Sequence, residues 1–198
     1  MRTLLNSITG PVELIRAYSE DPRLIQPLTI IELSAYRFEK FSLRSLLITD
    51  ILSSTGVFDI SEINLLDTLR HIALELDGFA DFYKVKPLFK GCDERITAKG
   101  CQSIVYQSLQ LVVEQALNLA NPNTEVVFEC GHQGNHGVKI IVEDSGLLCN
   151  KFNSFINSKT LPNEIELAFF ALALDVNKNI AFTFKSTPIY SEVYITPM

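Results

Sequence analysis

Arg2-Thr3-Leu4-Leu5-Asn6-Ser7-Ile8-Thr9-Gly10-Pro11-Val12-Glu13-Leu14-Ile15 is the stretch on which the fold reading turns. Leu5, Ile8, Val12 and Ile15 recur at spacings of three, four and three, which lays one apolar stripe along a helix face. Asp21-Pro22 stops that helix, because a residue before proline avoids the helical region. A second helix restarts near Pro27, a residue tolerated in a first turn. It runs to about Leu52 with Phe38, Phe41, Ile48 and Leu52 on a stripe widened by Leu47 and Ile51, and Ser53-Ser54-Thr55-Gly56 ends it. Two helices joined by a short turn make an antiparallel hairpin, here residues 1–55. So small a unit cannot bury a broad apolar face alone. The hairpin is therefore expected to be half of a dimeric four-helix bundle, which makes the chain a homodimer.

Outward from the hairpin, residues 57–198 change to a mixed texture. A helix is expected with Leu65, Leu69, Ile72 and Leu76 on one face, capped by Asp59 or Ser61. Val85–Phe89 reads as a strand, and a long helix from about Cys101 to Ala120 carries Val105, Leu109, Val112, Ala116 and Leu119. Thr124–Cys130 and Val138–Glu143 read as strands around a polar turn. Leu147–Leu161 reads as an irregular polar loop, Asn163 as the cap of a last helix to about Val176, and Asn179–Lys185 with Tyr190–Thr196 as a closing hairpin. The fold class is α+β: a helical hairpin, then an α/β sandwich.

Composition narrows the function classes. The chain has 198 residues, 47% hydrophobic and 20% charged, with mean hydropathy +0.18, enough apolar material for a sizeable core and too much for disorder. Its 17 Lys+Arg against 23 Asp+Glu give a net charge of −6, and no basic cluster offers nucleic-acid phosphates a footprint. The longest apolar run, Leu167–Leu174, is far short of the ~20 residues that span a bilayer, so neither membrane nor nucleic acid is an expected partner and the location is expected to be cytoplasmic. The four cysteines form no CxxC pair and read as buried hydrophobes or free thiols. Cys130, His132 and His136 read as part of a hairpin turn, since a structural zinc needs four ligands; no metal site is expected. His71 reads as a solvated helix residue.

Arg2, Thr3, Leu5, Asn6, Ser7, Ile8, Gly10, Glu13 and Leu14 together resemble the dimerisation helix of sensor histidine kinases, whose pattern runs roughly H-E-φ-R-T-P-L-N-S-I-x-G-x-x-E-L-L, φ being apolar. Leu4 stands where that pattern has Pro. Ala35-x-Arg37 and the apolar run to Leu52 are similar to the family's second helix. Gly100–Ala116 resembles the helix carrying the family's Asn box, and Glu143-Asp144-Ser145-Gly146 resembles the D-x-G motif that reads adenine. The resemblance implies a histidine-kinase-type ATPase-like domain over 57–198, with ATP and Mg²⁺ as the family's cofactors. It also implies a nucleotide pocket on Gln115, Asp144 and Gly146, and a response-regulator receiver domain as partner.

The same alignment sets the departures. The phosphoacceptor His of the motif would fall two residues before Met1. The family's Mg²⁺-holding Asn aligns with Gln115 and an earlier Asn with Leu111; the second Gly of D-x-G-x-G aligns with Leu148, and the phosphate-side G-x-G with Glu164-Ile165-Glu166. Glycine there lets backbone amides approach phosphate. Two like charges about 4 Å apart cost roughly 4 kcal/mol at an effective dielectric of about 20, about a thousandfold in affinity. Gln for Asn adds a methylene where Mg²⁺ demands near-octahedral geometry. Leu147 and Leu148 are expected to fill space that glycines leave open, giving a partly collapsed, acidic cleft with no bound cofactor. The expected function is thus a histidine-kinase-like or histidine-phosphotransferase-like phosphorelay component of a two-component system, with no catalytic residue assigned in this chain and no ATP-dependent kinase activity. The alternative is a non-enzymatic dimeric scaffold that binds a receiver domain or another kinase. Whether the native frame carries His-Glu ahead of Met1 separates the two.

Overall fold

The computed structural model describes residues 2–53, 58–91, 95–132, 135–156 and 164–198, and divides into two compact units, Met1–Leu46 and Leu47–Met198. In the first unit, α1 (Arg2–Tyr18) leads through a single 3-10 turn, Pro22–Leu24, into α2 (Ile25–Ser53). Asp21 caps that turn, its carboxylate accepting from the Arg23 amide at 3.0 Å, as expected of Asp-Pro. Pro27 sits in the first turn of α2, where its missing N–H costs nothing. The Arg16 guanidinium holds the two helices together near the turn. It donates to Glu32 from Nε at 3.1 Å and from Nη2 at 2.6 Å, and to Thr29 at 3.1 Å. Val12, Leu28, Leu33 and Ala35 are buried, whereas Ile31, Phe38, Phe41 and Leu46 are exposed.

In the second unit, β1 (Ile60–Asn64) pairs antiparallel with β3 (Thr97–Cys101) as a two-stranded sheet. The helix expected from residue 61 therefore begins later: α3 is Leu65–Glu75, capped by Asn64, whose side chain accepts from the Asp67 amide. The apolar stripe Leu65, Leu69, Ile72 was read correctly and all three are fully buried. What overrides the early start is cross-strand pairing with β3, a non-local partner that periodicity does not reveal. A short helix, α4 (Asp77–Tyr83), follows; Lys84 ends it in the left-handed region at φ 57°.

The main sheet has five strands in the order β2-β4-β5-β7-β6: β2 (Lys86–Lys90), β4 (Glu125–His132), β5 (Asn135–Glu143), β6 (Ile180–Ser186) and β7 (Tyr190–Pro197). Only β2 runs parallel to its neighbour among these described strands. Alternation sorts the two faces. Val126, Phe128, Val138, Ile140, Val142, Val193 and Ile195 are buried on one side. On the other side Lys139 pairs with Glu192 at 2.8 Å, and the Tyr194 hydroxyl donates to the same carboxylate at 2.8 Å.

The buried face is layered by α5 (Gln102–Leu119), α6 (Leu147–Ile156) and α7 (Ile165–Val176). Ile104, Phe169 and Ala173 form a cluster against which Leu47, Ile48 and Ile51 of the last turns of α2 pack. The α+β class and the hairpin-then-sandwich order are as expected. Helix α6 is not: it occupies what was read as a loop, because Leu148, Cys149 and Phe152 all turn inward and are fully buried. Asn163, the expected cap of α7, lies outside the described residues; Glu164 occupies the cap position without a side-chain bond. Cys101 and Cys149 are free thiols, while Cys130 is disulfide-bonded, a departure from the free thiols expected. His71 is exposed on α3 as expected, its ring 6.2 Å from that of Tyr106. The side chains of His132 and His136 lie outside what the structure describes.

Candidate functional site

Asp144 follows β5 directly and is 1% exposed. Its carboxylate accepts the Gly146 amide on Oδ1 at 3.0 Å and the Leu148 amide on Oδ2 at 2.6 Å. Ser145 and Gly146 both take left-handed backbone, φ 55° and 78°, which swings the chain from strand into helix within two residues. A side chain at Gly146 would also meet the Ser186 Cβ and the Thr187 carbonyl oxygen, each at 3.2 Å. The turn is tied to the neighbouring hairpin, since the amides of Asp144 and Ser145 both donate to the Ile189 carbonyl, at 3.2 and 2.9 Å. Asp-Ser-Gly is here a helix-starting turn, with a carboxylate satisfying the otherwise orphaned first amides of α6.

Gln115 lies on α5, facing α6. Its Oε1 accepts from the Lys151 ammonium at 3.0 Å, and that ammonium stands 4.0 Å from Glu164 at the start of α7. The structure thus brings Gln115 and Glu164 to a common neighbour, Lys151, that sequence reading did not single out. Asp144 and Gly146 sit at the other end of the same helix.

The buried side of α6 is fixed to the sheet. The Cys149 amide donates to Ser191 Oγ at 3.1 Å and its thiol to the Lys185 carbonyl at 3.2 Å. Burial pushes that thiol up from its ordinary pKa, and the Asp144 charge adds to the push. Phe152 stacks on Phe184 with centroids 4.8 Å apart and meets Phe170 edge-on at 4.9 Å. Of the two leucines expected to fill the cleft, Leu148 is fully buried but Leu147 is 53% exposed, because successive helical residues point about 100° apart. A helix rather than a loop therefore takes up the space among α5, α7 and the sheet.

No protein-family model and no curated protein sequence matches this chain. Solved structures do match in fold. The cytoplasmic segment of histidine kinase QseC superposes with TM-score 0.58 and 12% identity, over 82% of this chain and 93% of that one. The Acinetobacter baumannii histidine kinase AdeS gives 0.57 and 12%, over 98% and 93%. Histidine kinase ThkA, in a crystal structure with the response regulator protein TrrA, gives 0.58 and 16%, over 99% of this chain and 58% of that one. At such identities the likeness speaks for the fold alone: this chain has the fold of a sensor histidine kinase core.

Proposed function

We propose that this chain is a phosphorelay component of the two-component class whose ATPase-like domain has lost its nucleotide. In this reading residues 1–55 dimerise as a four-helix bundle and offer the docking surface for a response-regulator receiver domain, and residues 57–198 are the degenerate domain. The location is the cytoplasm, which accords with the finding that no described helix is long and apolar enough to cross a membrane. The dimer is supported by the exposed apolar residues of the first unit, with Ile8 and Ile15, and Ile31 and Phe38, each seven residues apart and so on one helix face. The receiver-domain partner is supported by the fold shared with ThkA, solved with a response regulator.

One observation carries the loss of nucleotide. Both oxygens of the Asp144 carboxylate are taken by backbone amides, Gly146 in the turn and Leu148 in α6, and the group is 1% exposed. A carboxylate in that state does not fit the edge of an adenine. Gln115 Oε1 already accepts from an ammonium, which does not fit a divalent cation at the same oxygen. In this reading the chain draws no phosphoryl group from ATP. Titration calorimetry with ATP and Mg²⁺, or with ADP, is the test. No binding tighter than about 100 μM, roughly 5.5 kcal/mol, is expected. A lower dissociation constant would overturn the reading. Incubation with labelled ATP should likewise leave no acid-labile label on the protein.

A further inference from the structure

The solvated face of the five-stranded sheet holds a hollow of about 200 Å³, lined by Glu129, Gly137, Lys139, Thr183, Lys185 and Tyr194. Strand pairing puts it there. Lys139 of β5 and Thr183 of β6 both stand opposite Tyr194 of β7. Thr196, two residues on along β7 and so on the same face, stands opposite Ala181 and beside Gly137. Long side chains thus border a floor of short ones. The floor cannot be filled from within, because a Cβ at Gly137 would lie 2.7 Å from the Ile195 carbonyl oxygen.

One wall of the hollow is fixed. Glu192 accepts from the Lys139 ammonium on Oε1 and from the Tyr194 hydroxyl on Oε2, each at 2.8 Å. The charge of Lys139 is thereby matched. That of Lys185 is not: its ammonium sits 4.8 Å from the centroid of the Tyr194 ring, with no carboxylate at ion-pair distance among the described residues. Glu192, already accepting from two donors, feels Lys185 only at longer range.

We propose that this hollow binds a small aromatic monocarboxylic acid, its ring beside Tyr194 and its carboxylate on Lys185. Size, charge and shape each select that class. A cavity of about 150 Å³ already takes a benzene ring, so this one takes a ring and little more. One unmatched ammonium calls for one negative charge, and Glu129 and Glu192 close by disfavour a dianion. Thr183 and Lys185, two apart on β6, present a hydroxyl and an ammonium on one face, a donor for each oxygen of a carboxylate. The site lies on the side of the sheet away from α5, α6 and α7, so it stands independently of the reading of Asp144 and Gln115.

Amide NMR spectra of the isotope-labelled full chain, titrated with sodium benzoate, test this. The signals of Lys139, Thr183, Lys185 and Tyr194 should move together, with a dissociation constant on the order of 1 mM, as suits so small a ligand. Lys185→Met keeps the aliphatic stem, removes the charge and alters only an exposed side chain. It should weaken binding about tenfold, the value of one hydrogen bond to a charged group, and leave Tm unchanged. Lys185→Arg should keep most of the affinity. Inorganic phosphate, and benzyl alcohol, which has the ring without the charge, should each bind at least about tenfold more weakly than benzoate. No shifts at roughly ten times the expected dissociation constant would overturn the site. So would phosphate binding as well as benzoate, which would mark a bare surface cation, or full benzoate affinity in Lys185→Met.

Discussion

Replacing Asp144 by Ala separates a structural carboxylate from a ligand-binding one by the sign of the stability change. In the structure the carboxylate accepts from two buried amides, at 3.0 and 2.6 Å, while itself only 1% exposed. Removing it leaves both N–H groups without an acceptor, at about 1–3 kcal/mol each, and removes the cap of α6, worth about 0.5–2 kcal/mol by itself. Relief of the buried charge offsets part of this. A net loss of about 3 kcal/mol is expected. For a unit of roughly 150 residues that is a fall in Tm of about 6–12 °C. Asp144→Asn, which keeps one accepting oxygen, should lose about half as much. Urea denaturation followed by circular dichroism gives the free energy, and a thermal scan gives Tm. A carboxylate held ready for a ligand is uncompensated in the free protein, and there Asp→Ala stabilises. An unchanged or higher midpoint for Asp144→Ala would therefore refute the capping role and reopen the cleft as a binding site.

Phe152→Ala should cost about 3–5 kcal/mol by urea midpoint, because a fully buried ring between Phe184 and Phe170 is removed and the sheet cannot collapse into the hole; a loss under about 1 kcal/mol would mean that α6 is not docked. Glu192 is held below the usual carboxylate range by the Lys139 ammonium and the Tyr194 hydroxyl, against burial. Its contribution is present above the unfolded value of about 4.3 and lost as pH falls through the lower folded value, so stability should drop on acidification below about pH 4.5 and Glu192→Gln should flatten that part of the profile. Lys139 is correspondingly raised: burial opposes, Glu192 prevails, and its contribution, full below the ordinary lysine value, fades only as pH rises through the higher folded one. Static light scattering should give a dimer at tens of micromolar, on the order used for weak complexes, and Phe38→Asp with Ile31→Asp should give a monomer; a monomeric wild type would remove the bundle from the proposal.

Legibility of the fold followed the range of the interactions that make it. The hairpin was readable because its signals are local: a three-four stripe, Asp21-Pro22 as a stop, Pro27 in a first turn. The strands β4, β5 and β7 were readable because one face is buried and one solvated, which forces alternation. The two-stranded sheet of β1 and β3 escaped because each strand is five residues long and finds its partner some forty positions away. Ile60–Asn64 then reads equally well as a helix lead-in, and only the pairing with Thr97–Cys101 decides.

The site was legible in composition but not in use. Asp144-Ser145-Gly146 was found because it resembles the family's D-x-G motif, although its residue types are ordinary for a turn that ends a strand. That chemistry serves two jobs equally, presenting a carboxylate to a ligand or turning it back onto the amides of a following helix. What decides is the segment after it. Leu148 and Phe152, four apart, with Cys149 beside the first, are enough to bury a helix face, and they were missed because Asn150, Lys151, Asn153 and Ser154 between them read as a loop. Asn150 and Ser154 are exposed, Asn153 reaches the Phe184 carbonyl of β6, and Lys151 supplies the charge that reaches Gln115. Backbone amides of the turn and of α6 satisfy the Asp144 carboxylate, and the Lys151 ammonium satisfies Gln115 Oε1, all within the chain. In the proposed reading, loss of nucleotide needs no change of architecture: the segment Leu147–Ile156 folds as a helix against α5, α7 and the sheet, and the polar groups around it find partners within the chain.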